Sequence, residues 1–160
     1  MALEIERKFL INDDSWRTGV TESIDIRQGY LNSDKERTVR VRIAGEKGFL
    51  TIKGKSENLT RKEFEYDIPR DEALELLALC KKPIIEKVRH LYPADGLTWE
   101  IDVFRGENEG LVVAEVELSD PDQEVGLPLW IGKEVSGDPK YFNAALISQP
   151  FSTWAEAKKN

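Results

Sequence analysis

The chain has 160 residues, 40% hydrophobic and 33% charged, with a net charge of −7 and an isoelectric point of about 4.9. The length fits one domain over 1–160. The acidity, with no Lys/Arg run standing out beyond Lys81-Lys82 and Lys158-Lys159, argues against nucleic acid.

No apolar stretch approaches the roughly 20 residues that span a bilayer, and the start Met1-Ala2-Leu3-Glu4-Ile5-Glu6 is acidic, without a signal-peptide pattern. With one cysteine, Cys80, no disulfide framework is possible, which suits a reducing compartment. The expectation is a cytoplasmic protein with no membrane partner. Cys80 ends an apolar helical run and reads as a small buried hydrophobe. His90 has no His or Cys companion to form a metal cluster and reads as incidental.

Taken in chain order, most segments alternate with period two, and strands are predicted at 2–11, 24–32, 36–45, 47–55, 60–68, 84–92, 97–105 and 111–119. A short helix at Ser15-Trp16-Arg17 follows the first strand. Turn signals at Asn32-Ser33-Asp34, Gly45-Glu46-Lys47-Gly48 and Asp95-Gly96 give hairpin-length links, so the sheet is antiparallel. Pro69-Arg70-Asp71-Glu72 opens a helix over 70–80, ended by Pro83. Asp138-Pro139 introduces another over 139–147, and a last one spans 152–159. The fold class is therefore mainly β (α+β): a closed eight-stranded antiparallel barrel with a few flanking helices.

Strand side chains face alternate sides. Glu4, Glu6 and Lys8 share one face of the first strand, opposite Ile5 and Phe9. Arg40 and Arg42 share a face of the third strand, and Lys53 lies with Thr51 on the fourth. Glu63 and Glu65 pair on the fifth, Lys87 and Arg89 on the sixth, Glu100 and Asp102 on the seventh, and Glu115 and Glu117 on the eighth. Acidic and basic pairs are thus segregated by strand. Periodicity alone leaves open which side is inside. Apolar rows inward give an ordinary barrel with a charged exterior. Charges inward give a cavity that must hold water, counter-ions or a charged ligand, since an isolated buried charge costs several kcal/mol. The charged faces carry few Thr, Ser or Gln, and the helices at 70–80 and 139–147 need an apolar surface to cover; both details favour charges inward. Arg and Lys rows suit phosphate oxygens, and carboxylate pairs on neighbouring strands suit a hard divalent cation.

At this point the residues resemble a known family. Glu4-Ile5-Glu6-Arg7-Lys8 resembles the E-x-E-x-K signature of the CYTH domain, or triphosphate tunnel metalloenzyme, family. Arg40-Val41-Arg42, Thr51-Ile52-Lys53, Glu63-Phe64-Glu65, Lys87-Val88-Arg89, Glu100-Ile101-Asp102 and Glu115-Val116-Glu117 follow in that family's order, as does Gly132-Lys133-Glu134-Val135-Ser136-Gly137-Asp138. The resemblance runs through about residue 150. It implies an eight-stranded tunnel with the charges inside, a requirement for Mg²⁺ or Mn²⁺, and hydrolysis of a small anionic triphosphate. Inorganic triphosphate is the first candidate substrate.

On that reading Glu4, Glu6 and Glu117, helped by Glu115, hold the metal. Lys8, Arg40, Arg42, Lys53, Lys87 and Arg89 grip phosphate oxygens. Glu63, Glu65 or Asp102 positions the attacking water, and Lys53 or Lys87 stabilises the leaving phosphate. Arg7 lies on the other face, Lys55 reads as solvated, Glu100 as a structural partner of an arginine, and Tyr30 as packing or tunnel-facing. Trp16, Trp99, Trp130 and Trp154 read as core rather than a base-stacking platform. The alternatives are a class IV-type adenylate cyclase, a thiamine or nucleoside triphosphatase, and a non-catalytic polyphosphate- or nucleotide-binding module. A homodimer is left open.

Overall fold

The computed structural model describes residues 2–155. Eight strands close a barrel: β1 (Ala2–Ile11), β2 (Glu22–Asn32), β3 (Arg37–Ala44), β4 (Lys47–Gly54), β5 (Thr60–Ile68), β6 (Ile85–Ala94), β7 (Leu97–Phe104) and β8 (Val112–Glu117). Every pairing is antiparallel, in the order β5-β4-β3-β2-β6-β7-β8-β1. The sheet closes where β1 also pairs with β5, Glu4 opposite Arg61 and Ile5 opposite Thr60. Closure removes the free edges of an open sheet.

A ninth strand, β9 (Ile131–Glu134), adds to the closed eight. It pairs with the second half of β1, where Phe9 faces Glu134 and Ile11 faces Ile131. Four residues are too few to show a period, which is why the alternation gave no sign of it.

The barrel is apolar outside and charged inside, so its cores lie against the outer wall. One layer covers β1, β7 and β8: Phe9, Trp99, Ile101 and Val116 pack beneath Trp16, from the short helix Ser15–Gly19, and Trp130. Phe9, Trp99 and Trp130 meet edge to face, with ring centroids 5.6 and 5.7 Å apart, a favoured aromatic geometry. The second layer is α1 (Arg70–Leu79), which follows Pro69 and carries Asp71 and Glu72 in its first turn, as helix N-termini favour. Its Ala73 and Leu77, with Cys80, cover Val41 and Ile43. Burying Leu77 contributes about 1.5–3 kcal/mol.

A third cluster fills one end of the barrel from inside. Leu10, Tyr30, Ile85, Phe104 and Val113 share the inward face with the charged residues, and Leu146, Ile147 and Trp154 pack onto them. The predicted helix over 139–147 is corrected here. Asp138 does start a turn, its carboxylate accepting from the Lys140 backbone N–H, but a 3₁₀ turn at Pro139–Tyr141 ends at Phe142, whose backbone is extended at φ −67°, ψ 135°. Only α2 (Ala145–Ser148) is helical thereafter. The predicted helix over 152–159 is a 3₁₀ turn at Phe151–Thr153, and 156–160 lie outside the described residues.

Candidate active site

Each inward row meets its neighbours in register, and together they surround one cavity of about 1020 Å³. Glu4, Glu6 and Lys8 reach it from β1, and Glu115 and Glu117 from β8. Arg40 and Arg42 of β3, Lys53 of β4, Glu63 and Glu65 of β5, and Lys87 and Arg89 of β6 complete the wall. Lys55 and Glu100 also line the cavity, as does Tyr30. Arg7 points outward and pairs with Glu134 at 2.7 Å. His90 is bonded to Ser23, and all four tryptophans are buried.

Asp102 is the one candidate residue not on the cavity surface. It is 1% exposed, and its oxygens accept from Lys87 Nζ at 2.7 Å and from Arg89 Nε and Nη2 at 2.8 and 2.9 Å. Burial alone would raise its pKa, but Arg89 and Lys87 outweigh that and hold it far below the usual carboxylate range. Such a carboxylate is a counter-ion and a poor base.

One wall is acidic. Across β1 and β8, Glu6 stands directly opposite Glu117 and Lys8 opposite Glu115; across β7 and β8, Glu100 stands opposite Glu115. Like charges placed opposite each other destabilise a sheet. Burial, then Glu115 and Glu4, push Glu6 up to about 8, and burial with Glu4 and Glu100 raises Glu117. The other two carboxylates are paired. Glu4 accepts from Lys53 Nζ and from Arg61 Nε, the latter at 3.2 Å, and these cations outweigh burial and lower its pKa. Glu115 lies 3.4 Å from Lys8 Nζ. Burial raises Glu115 too, but Lys8 together with Arg89 and Lys87 outweighs it and the net shift is downward. Lys8 is raised in turn, its burial outweighed by Glu115 and Glu6. With Glu4 and Glu115 so engaged, no three carboxylate, His or Cys groups form a ready-made metal cluster among the described residues.

The facing wall is basic. Burial, then Arg40 and Arg89, push Arg42 down to about 9, and burial lowers Lys87 to about 7 despite Asp102. Lys53 is lowered by burial and Arg40, which outweigh Glu4; the ionised carboxylate is the firmer half of that pair. Arg40 is 6% exposed, and its Nε has no partner. A buried unpartnered N–H costs about 1–3 kcal/mol, and anionic oxygen is the acceptor that would satisfy it.

Four neutral or cationic side chains join the site without having been given a role from the sequence. Arg61 shares parity with Glu63, the signal that could have found it. Thr51 donates to Glu65 at 3.1 Å and accepts from Arg40 at 3.3 Å. Gln28 accepts from Arg42 at 2.8 Å. Asn143 accepts from Lys87 and Gln28 at 2.9 and 3.0 Å, and nothing in its loop sequence marks it.

The CYTH domain family model matches residues 2–142. The chain belongs to the CYTH domain family. An inorganic triphosphatase of Acetivibrio thermocellus is 47% identical over 157 residues, covering 98% of this chain and 100% of that protein. An inorganic triphosphatase of Nitrosomonas europaea is 34% identical over 147 residues, covering 89% and 95%. The solved structure of the inorganic triphosphatase NE1496 superposes with a TM-score of 0.65 at 33% identity, over 92% of this chain and 95% of that one. CYTH membership implies a divalent metal requirement. The acidic wall fits it: two like-charge pairs stand directly opposite, and burial, then Glu115 and Glu4, drive Glu6 toward its neutral form, an arrangement that a cation among these hard oxygen donors would relieve.

Proposed function

We propose that this CYTH chain, acting as one domain, hydrolyses inorganic triphosphate to pyrophosphate and phosphate with Mg²⁺ or Mn²⁺. The observation that carries the reading is a tunnel with an acidic wall on β1 and β8 facing a basic wall on β3, β4 and β6, where Arg40 keeps an unpartnered buried N–H. A metal-bound chain of phosphates matches both walls. The 47% identical relative that bears the name inorganic triphosphatase supports the same substrate.

In this reading Glu4, Glu6, Glu115 and Glu117 hold the cation, which when bound neutralises phosphate charge. Lys8, Arg40, Arg42, Lys53, Lys87 and Arg89 grip the phosphate oxygens and stabilise charge that grows in the transition state. Water attacks the terminal phosphorus, the bridging P–O bond breaks, and its electron pair stays on the departing pyrophosphate. The water proton passes to Glu63 or Glu65. Glu63 is half-buried, and burial raises its pKa, so it is a better acceptor than Asp102. Asp102 orients Lys87 and Arg89 instead. Lys53 or Lys87 balances charge on the leaving group.

The test is phosphate release from tripolyphosphate, ATP and thiamine triphosphate, with Mg²⁺ or Mn²⁺ and with EDTA. Tripolyphosphate is expected to turn over fastest, with phosphate and pyrophosphate in equal amounts. Cyclic AMP from ATP would move the reading to a cyclase, and no phosphate from any triphosphate would leave a binding module.

A further inference from the structure

Asn143 lies one position beyond the span that the CYTH model matches, on a segment that belongs to no strand of the barrel, yet it touches the centre of the basic wall. The extended backbone at Phe142 turns the chain inward. Downstream, Leu146 and Ile147 anchor it among Ile85, Phe104 and Val113. Between these fixed points the Asn143 amide oxygen accepts two hydrogen bonds, from Lys87 Nζ at 2.9 Å and from Gln28 Nε2 at 3.0 Å. Two donors on one oxygen also fix which way the amide faces.

An ammonium has three N–H bonds. Lys87, 2% exposed, spends one on Asp102 and one on Asn143, and the Phe104 ring, its centroid 5.3 Å from Nζ, closes a further side. The remaining N–H is left for the cavity that Lys87 lines. Gln28 is fully buried and passes the restraint on, because its Oε1 accepts from Arg42 Nε at 2.8 Å. A continuous chain thus runs from Arg42 through Gln28, Asn143 and Lys87 to Asp102 and Arg89.

We propose that Asn143 is a positioning residue of the site: its amide oxygen sets the direction of the Lys87 ammonium and, through Gln28, of the Arg42 guanidinium. The claim rests on the triphosphate turnover proposed above. Misplacing a group by about 1 Å can cost on the order of a hundredfold in rate, so Asn143→Ala, with one of two restraints on Lys87 retained, is expected to lower kcat on tripolyphosphate about tenfold.

The deciding experiment is a double-mutant cycle, with folding checked by thermal melting. If Asn143 acts through Lys87, Asn143→Ala costs no more than about threefold in a Lys87→Ala background, the remainder being the Gln28–Arg42 branch. Asn143→Asp keeps an oxygen acceptor for both donors and places a negative charge near the phosphates, so KM is expected to rise while kcat stays within about threefold of the wild type. Equal factors for Asn143→Ala in both backgrounds, or an unchanged kcat in the single variant, would overturn the proposal. If the wild type turns over no triphosphate, the functional reading fails. The cycle is then read from calorimetric binding of tripolyphosphate in EDTA, where the same non-additivity is expected and equal factors again overturn the claim.

Discussion

Glu6 carries a strained charge in the tunnel. Its ordinary value is near 4.5 and its folded value about 8, raised by burial and by Glu115 and Glu4. Between those values the folded state holds a proton that the unfolded state has lost, so stability from this group falls as pH rises from about 4.5 to about 8. A bound cation needs the ionised form, so metal binding there releases a proton. Thermal melting with and without Mg²⁺ should therefore show a larger stabilisation by metal at pH 8 than at pH 6. An equal or smaller shift at pH 8 would remove Glu6 from the metal set.

Asp102 is open to a direct test of its own. Asp102→Asn leaves Lys87, 2% exposed, without its counter-ion and Arg89 with Glu100 alone, 3.3 Å away, and breaking such a buried pair costs about 3–5 kcal/mol. Urea denaturation measures it, and unchanged stability would contradict the counter-ion role. Pair spacing in the sequence put Asp102 on the inward face. It could not tell that Lys87 and Arg89 cover it, because that depends on side-chain depth rather than parity.

Among the elements, the eight barrel strands were legible because two-residue alternation is a local property that each strand carries by itself. β9 and the stretch over 139–148 were not. Ile131–Glu134 becomes a strand only because β1 offers it an edge. Asp138-Pro139 gives a sound helix start, but tertiary contacts override its continuation: the Phe142 ring lies 5.7 Å from Lys8 Nζ, and Asn143 is bound to Lys87. Close packing of α1 on the barrel offers a test of the outer layer. A Cβ at Gly48 would meet Ala73 Cβ at 2.9 Å and the Ile68 carbonyl oxygen at 3.0 Å. Gly48→Ala is thus expected to lower stability by about 1–3 kcal/mol with KM for tripolyphosphate unchanged, since the helix lies outside the tunnel. A shift in KM as large as the loss of stability would mean that the outer layer and the site are not separable.

For the whole molecule the telling property is where charge sits. The chain carries −7 overall, yet nine Lys and Arg side chains line the cavity against seven glutamates. Such a cleft focuses field lines, and two of its lining cations, Lys35 and Lys55, are exposed to solvent. Raising ionic strength from about 0.05 to 0.5 M should lower kcat/KM for tripolyphosphate well before it lowers kcat, because screening acts on approach more than on a buried contact. No described helix is long and apolar enough to cross a membrane.

The central claim is that the acidic wall begun by Glu4 and Glu6 holds a cation against a triphosphate gripped by the facing cations. The most direct measurement is phosphate release from tripolyphosphate with Mg²⁺ or Mn²⁺, by wild type and by Glu6→Ala, with EDTA as control. Turnover is expected from the wild type, none in EDTA, and a loss of at least about a hundredfold in Glu6→Ala, the scale on which removing one preorganised charge-stabilising group acts. Turnover that survives EDTA, or a Glu6→Ala protein as active as the wild type, would contradict it.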